Sequence, residues 1–177
     1  MSKNGRIDQT FNHQLWFAAT SGMLDESDKS SISSNSSYFL KNIESILMHF
    51  DNGLIYHSSI RKLDARSKMK SFMNSSLKTM MDLFGKYNYS KKEFRRVDNL
   101  IKKSIGYHSF NMYAFAILKK QFPNHFYWTT PSFKLMLNYA ISKEYLNQLK
   151  IENKYGFSYN VPGFEIPLVA ETFNCFS

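Results

Sequence analysis

Three features of this 177-residue chain predict an all-α fold. Apolar residues recur at three- and four-residue intervals through most of its length. Gly, Pro and Ser/Thr sit where helices would start or stop. Runs with β-type alternation are confined to two short connections. At 43% hydrophobic and 16% aromatic residues the chain has ample material for a packed core, so it is not a disordered chain. One helical domain over residues 1–177 is expected.

The first helix is predicted over about Asp8 to Leu24, where Phe11, Leu15, Ala19 and Met23 form one face. The Ser-rich run 25–37 reads as a flexible, solvated loop. Ser37 would cap a second helix running to Phe50, with Phe39, Leu40, Ile43, Ile46 and Leu47 inward. Asp51-Asn52-Gly53 supplies its stop and a turn. A third helix is expected from Ala65 to Phe84 on a Met- and Phe-rich stripe. Ser90, with Glu93 at the capping-box position, would open a fourth to Ile105. Gly106 should interrupt it, leaving a fifth from Tyr107 to Phe122. Thr130-Pro131 opens the sixth, Pro131 sitting where a missing N–H costs nothing. Ser142 would cap its continuation. The stretch 154–173 reads as a short extended piece, a Pro-Gly turn and a closing helix. Short connections between successive helices imply antiparallel pairs.

Charge narrows the partners only by sign. With 23 basic and 14 acidic residues the net charge is +9, which favours polyanions in general. Cys175 is the single cysteine, so no internal disulfide can form. The start, MSKNGRIDQ, has no apolar signal segment. No run approaches the ~18 apolar residues of a membrane span. The expectation is therefore a cytoplasmic protein with no membrane partner. No phosphate-cradling Gly-rich loop, His-Glu-x-x-His or Gly-x-Ser-x-Gly appears. Neither a cofactor nor a metal is predicted.

Two connections carry more than a turn needs. In Gly53-Leu54-Ile55-Tyr56-His57, alternation puts Leu54 and Tyr56 on one side and Ile55 and His57 on the other. Tyr155-Gly156-Phe157-Ser158-Tyr159-Asn160 has a similar build. Both read as ribbon-like links at the rim of a helical bundle. Tyr56 could stack on a sugar, and His57 could titrate near neutral pH. Trp128, after Phe126-Tyr127 and just before a helix, is the better sugar platform; Trp16 reads as core. Asp8, Asn12 and His13 cluster at one helix start and could act as an acid–base group. Glu165 and Glu171 are six residues apart, about 600° of helical rotation, so they cannot form a pair on one face. A partner carboxylate for Glu165, Asp8 for instance, would have to come from another loop.

Asp51-Asn52-Gly53-Leu54-Ile55-Tyr56-His57 resembles the D-G-L-x-Y-H rim loops of the (α/α) toroids of carbohydrate-active proteins, the glycoside hydrolase, polysaccharide lyase and sugar epimerase type. Gly5 to Trp16 resembles an inner helix presenting polar groups to a central cleft. Tyr155-Gly156-Phe157 through Pro162-Gly163-Phe164-Glu165 resembles a last rim loop and its returning helix. The resemblance implies recognition of a polysaccharide or oligosaccharide, expected to be acidic from the charge. It implies Asp8, His13, His57 and Glu165 as acid–base candidates, and Arg6, Asn12, Tyr56, Trp128, Tyr159 and Asn160 as substrate contacts. A six-hairpin toroid needs roughly 350 residues. This chain would supply half, as a fragment or with a second copy or complementary chain closing the ring, and catalysis would need that other half. Two other readings stay open: a helical adaptor without catalysis, and a basic RNA-binding protein or ribonuclease of the HEPN type, whose Arg–His spacing Arg6 and His13 satisfy.

Overall fold

The computed structural model describes residues 11–21, 29–57, 91–149, 153–157 and 159–175. Among them are six α-helices: α1 (Phe11–Ser21), α2 (Lys29–Ile46), α3 (Lys91–Gln121), α4 (Pro131–Ala140), α5 (Lys143–Gln148) and α6 (Pro162–Thr172). A 3-10 turn, Phe126–Thr129, precedes α4. No strand occurs among the described residues, only one isolated bridge between His49 and Ile55. The all-α expectation holds. The helix expected over 65–84 lies outside the described residues. Central to the packing is α3, which lies against α1, α4 and α6, while α1 also packs on α2.

Two departures from the sequence reading have local causes. The Ser-rich run is not a loop throughout, because residues 29–37 belong to α2, and Ser37 therefore caps nothing. Small side chains let α2 approach α1 closely, and their hydroxyls are used there. Ser21 Oγ donates to the carbonyl of Ala18 at 2.7 Å and accepts from Ser36 Oγ at 2.5 Å. Tertiary contact has overridden weak helix propensity.

The second departure is at Gly106, which lies inside a continuous α3. A Cβ there would collide with the backbone of Tyr155, so Gly106 serves close approach rather than termination. Side chains nonetheless reach its backbone from outside. The Tyr145 hydroxyl accepts from Ser109 N–H and donates to Ile105 C=O, each at 3.0 Å. Those two groups are the i and i−4 members of one rung of the ladder. Asn160 Nδ2 donates to Gly106 C=O at 2.5 Å, and Asn153 Nδ2 to Lys102 C=O at 3.1 Å. Side chains from α5 and the 153–160 loop thus enter the middle of α3, a recognised cause of helix bending.

The connection after α2 folds into a tight hairpin. Phe50 N–H donates to Leu54 C=O, Gly53 N–H to Phe50 C=O and Tyr56 N–H to Met48 C=O, at 2.8–2.9 Å. Alternation works as expected. Leu54 and Tyr56 face a small cluster with Phe50, Tyr139, Tyr145 and Leu149, whereas Ile55 faces the main core. Leu54 and Ile55 are fully buried, so the hairpin's front half is core rather than rim. His108 on α3 holds it there. Ile55 N–H donates to His108 Nδ1 at 3.2 Å, and His108 Nε2 lies 3.1 Å from Met136 C=O. One neutral tautomer satisfies both contacts: Nδ1 accepts and Nε2–H donates.

Further along, the local signals read true. Thr130 Oγ1 accepts from Phe133 N–H above Pro131, and Ser142 Oγ accepts from Tyr145 N–H to cap α5. Pro162 and Gly163 are the first helical residues of α6 rather than a separate turn, consistent with the preference for Pro in a first turn.

Candidate functional site

One stripe of α3 gathers most of the chemistry that the sequence left scattered. Lys103, Tyr107, Phe110 and Asn111 fall within about 100° of one another around the helix axis. Onto this stripe converge the end of the hairpin, α1 and the 153–160 loop. The His57 ring stacks on Tyr107 with centroids 4.4 Å apart. Tyr155 and Tyr159 approach Tyr107 at 6.4 and 5.8 Å. Trp16 of α1 stacks on Phe110 at 4.3 Å and meets Tyr113 at 5.6 Å. Lys103 Nζ and Lys154 Nζ lie 5.5 and 4.9 Å from the Tyr155 ring centre, within cation–π range. The result is an aromatic wall with two ammonium groups at one edge.

Electrostatics in the wall follow from burial and its cations. His57 is anchored through its backbone N–H to Ser104 Oγ at 2.9 Å. Burial, then the charges of Lys103 and His13, pull its pKa down to about 4. The expectation that His57 titrates near neutral pH is thereby corrected: its imidazole is neutral at pH 7 and a weak proton acceptor, because burial and the nearby cations penalise the imidazolium. Tyr107 is pushed up to about 12, first by burial and then by its hydrogen bond with Tyr159 and the charges of Tyr159 and Tyr155. It is a hydroxyl donor, not a phenolate, under ordinary conditions.

The two helices that carry these rings also bury polar atoms with no partner. Asn12 Oδ1 and Trp16 Nε1 on α1, and Asn111 Oδ1 on α3, are buried without a hydrogen bond. Asn12 and Trp16 are one helical turn apart and share a face. Each such orphan costs about 1–3 kcal/mol, and buried polar groups left open in this way call for a function or a bound molecule.

The candidate residues sort as follows. His13, His57 and Tyr159 belong to the wall or its electrostatic surroundings, and Asn12 is buried on α1, one turn before Trp16. Tyr56 turns away, packing 5.7 Å from Phe50. Trp128 is in the core instead of at a cleft: it is buried, its Nε1 donates to Phe122 C=O at 2.7 Å, and it packs on Phe115, Phe133 and Phe173. Trp16, read as core, is half-buried and packs against the main core, with its ring on Phe110. Asn160 is buried and spends its amide on the Gly106 and Tyr155 carbonyls, so it shapes α3. Arg6 and Asp8 lie outside the described residues.

Glu165 is buried in the first turn of α6 with Oε2 unpaired. Burial raises its pKa, offset in part by Ser109. Ser109 is about 200° around α3 from Tyr107, so this carboxyl sits behind the helix, away from the wall. A raised carboxyl is protonated more readily folded than unfolded. Its stabilising contribution is full below the ordinary range near 4.5 and is lost as pH rises above it. The Glu165→Gln variant should therefore be more stable than wild type at pH 7 and equal to it in acid, as urea unfolding at the two pH values would read.

Among the described residues no group of three His, Cys, Asp or Glu is placed to hold a metal ion. No helix among them is long and apolar enough to cross a membrane.

No family model matches the chain, and no solved structure gives a significant match. The sequence is 36% identical over 169 residues to Archaeal glycosylation protein Q of Haloferax volcanii, an alignment covering 95% of this chain and 44% of that protein. The chain thus spans less than half the length of this relative, and is similar over nearly all of its own length to a protein named for glycosylation.

Proposed function

We propose that the chain binds a glycan on the Tyr107 wall and works in glycosylation, as the relative's name suggests for that protein. The observation that carries this is the stacking of His57 on Tyr107 and of Trp16 on Phe110, on helices that also bury three polar atoms lacking partners. Sugar rings present apolar C–H faces to aromatic side chains and hydroxyls to orphaned donors and acceptors. Lys103 and Lys154 at the edge of the wall favour an acidic sugar, consistent with the net charge of +9. Neutral His57 is the group positioned to hydrogen-bond a bound hydroxyl, in a setting that also includes the charge of His13. A ring of helical hairpins, half supplied by this chain and half by a second copy or complementary segment, is the architecture this reading favours.

The test is calorimetric titration of the purified chain with uronic-acid oligosaccharides, neutral oligosaccharides and a structured RNA. Uronic-acid chains should bind most tightly, and Tyr107→Ala should weaken them at least about tenfold, the loss expected when a stacking ring is removed. Binding of the RNA with neither glycan bound would reject the reading and favour the nucleic-acid alternative.

A further inference from the structure

The 153–160 loop and the first turn of α6 expose a strip that the wall does not use. Phe157 is 54% exposed, Val161 57% and Phe164 81%, three large apolar side chains within eight residues. Isolated exposed apolar residues are ordinary, but a clustered strip with a charged margin marks a surface that meets something. From Asn153 to Phe164 the sequence contains one charged residue, Lys154, which is exposed. The first acid along this stretch is Glu165, and it is buried. The strip is therefore apolar rings and a valine beside a cation, with no exposed carboxylate among them.

We infer that this strip seats on the surface of an anionic lipid bilayer, with Phe157, Val161 and Phe164 entering the headgroup region and Lys154 meeting its phosphates. Aromatic rings prefer that boundary because it is apolar on one side and wet on the other. Basic residues close to the surface add attraction to anionic lipid. Charge favours this occupant at this strip. Two copies meeting through it would set one Lys154 against the other, whereas an anionic surface attracts Lys154 and the net charge of +9 alike. Association is peripheral, so it needs no spanning helix. It would also bring the wall close to the membrane, since Tyr159 lies between Phe157 and Val161 in sequence and its ring touches Tyr107. The inference shares Lys154 with the glycan reading, but its anchors Phe157, Val161 and Phe164 lie outside the wall, so the double variant below tests it separately.

The experiment is co-sedimentation of the full chain with sucrose-loaded vesicles of phosphatidylcholine alone or doped with phosphatidylglycerol. Wild type should pellet with the doped vesicles and stay in solution with the neutral ones. The Phe157→Asp/Phe164→Asp double variant should lose at least about tenfold in partitioning with unchanged circular dichroism, because both side chains are exposed. Lys154→Glu should weaken binding and reduce its salt dependence. Equal pelleting of wild type and the double variant would show adsorption by diffuse charge and overturn the inference. So would failure of wild type to pellet. A dimer in light scattering that Phe164→Asp dissolves, with no vesicle binding, would assign the strip to a second copy instead.

Discussion

Replacing His108 with leucine should lower the unfolding free energy by about 2–6 kcal/mol. The imidazole is fully buried and joins the Ile55 amide of the hairpin to the Met136 carbonyl of α4. Leucine fills much of the volume and satisfies neither group. Two buried backbone groups are left unmatched, at about 1–3 kcal/mol each. Against a typical domain stability of about 5–15 kcal/mol, that is a large fraction. The same histidine gives acid sensitivity a specific source. Burial drives its pKa down to about 3, outweighing the Met136 hydrogen bond, which raises it; the charge of His49 lowers it further. In the unfolded chain it titrates near 6.5. The unfolded state therefore binds the extra proton first. The stability contribution is complete above pH 6.5 and drains away as pH falls toward 3, by up to about 1.4 kcal/mol per pH unit. His57 adds a like contribution between 6.5 and about 4. Urea titrations of wild type and His108→Leu across this range should show a shallower acid slope in the variant. A variant as stable as wild type at pH 7, or with an unchanged slope, would show that the bridge does not carry this weight.

A second large loss is expected from Gly53→Ala, about 2–5 kcal/mol. Gly53 has φ +93°, a conformation that L side chains rarely adopt, and this costs about 1–2 kcal/mol for alanine. The new methyl would also strike the Leu135 carbonyl oxygen and carbon of α4. Backbone atoms cannot step aside as a side chain can, so overpacking adds about 1–3 kcal/mol. The hairpin and α4 must separate, carrying Leu54 and Ile55 out of two clusters at once. Thermal unfolding by circular dichroism reads the effect. A shift in Tm no larger than that of a surface Gly→Ala control would mean that the hairpin does not press on α4 as described.

What the sequence disclosed depended on how local the cause was. Thr130-Pro131 and Ser142 announce helix starts through contacts within four residues, and both are found where expected. The hairpin's alternation was legible for the same reason. Residues 29–37 were misread because serine's local preference is for caps and loops, and only contact with α1 makes them helical. Gly106 was read as a breaker because its actual use, making room for Tyr155, is a long-range fact. The burial of Trp128 is of this kind too: local sequence gives a face but not what that face meets. His108 was not singled out at all. Its one available signal was a titratable residue flanked by Ile105 and Met112 on an otherwise apolar side of a helix. The wall itself assembles α1, the hairpin, α3 and the 153–160 loop, and nothing in the spacing of His13, His57, Tyr107 and Tyr159 reveals that they meet.

The phenol wedged into α3 has an energetic corollary. If α5 lifts away, the Ser109 amide and the Ile105 carbonyl can close directly on each other, and neither is stranded. Detachment of Tyr145 thus trades one rung for another, at a cost well below that of two broken hydrogen bonds.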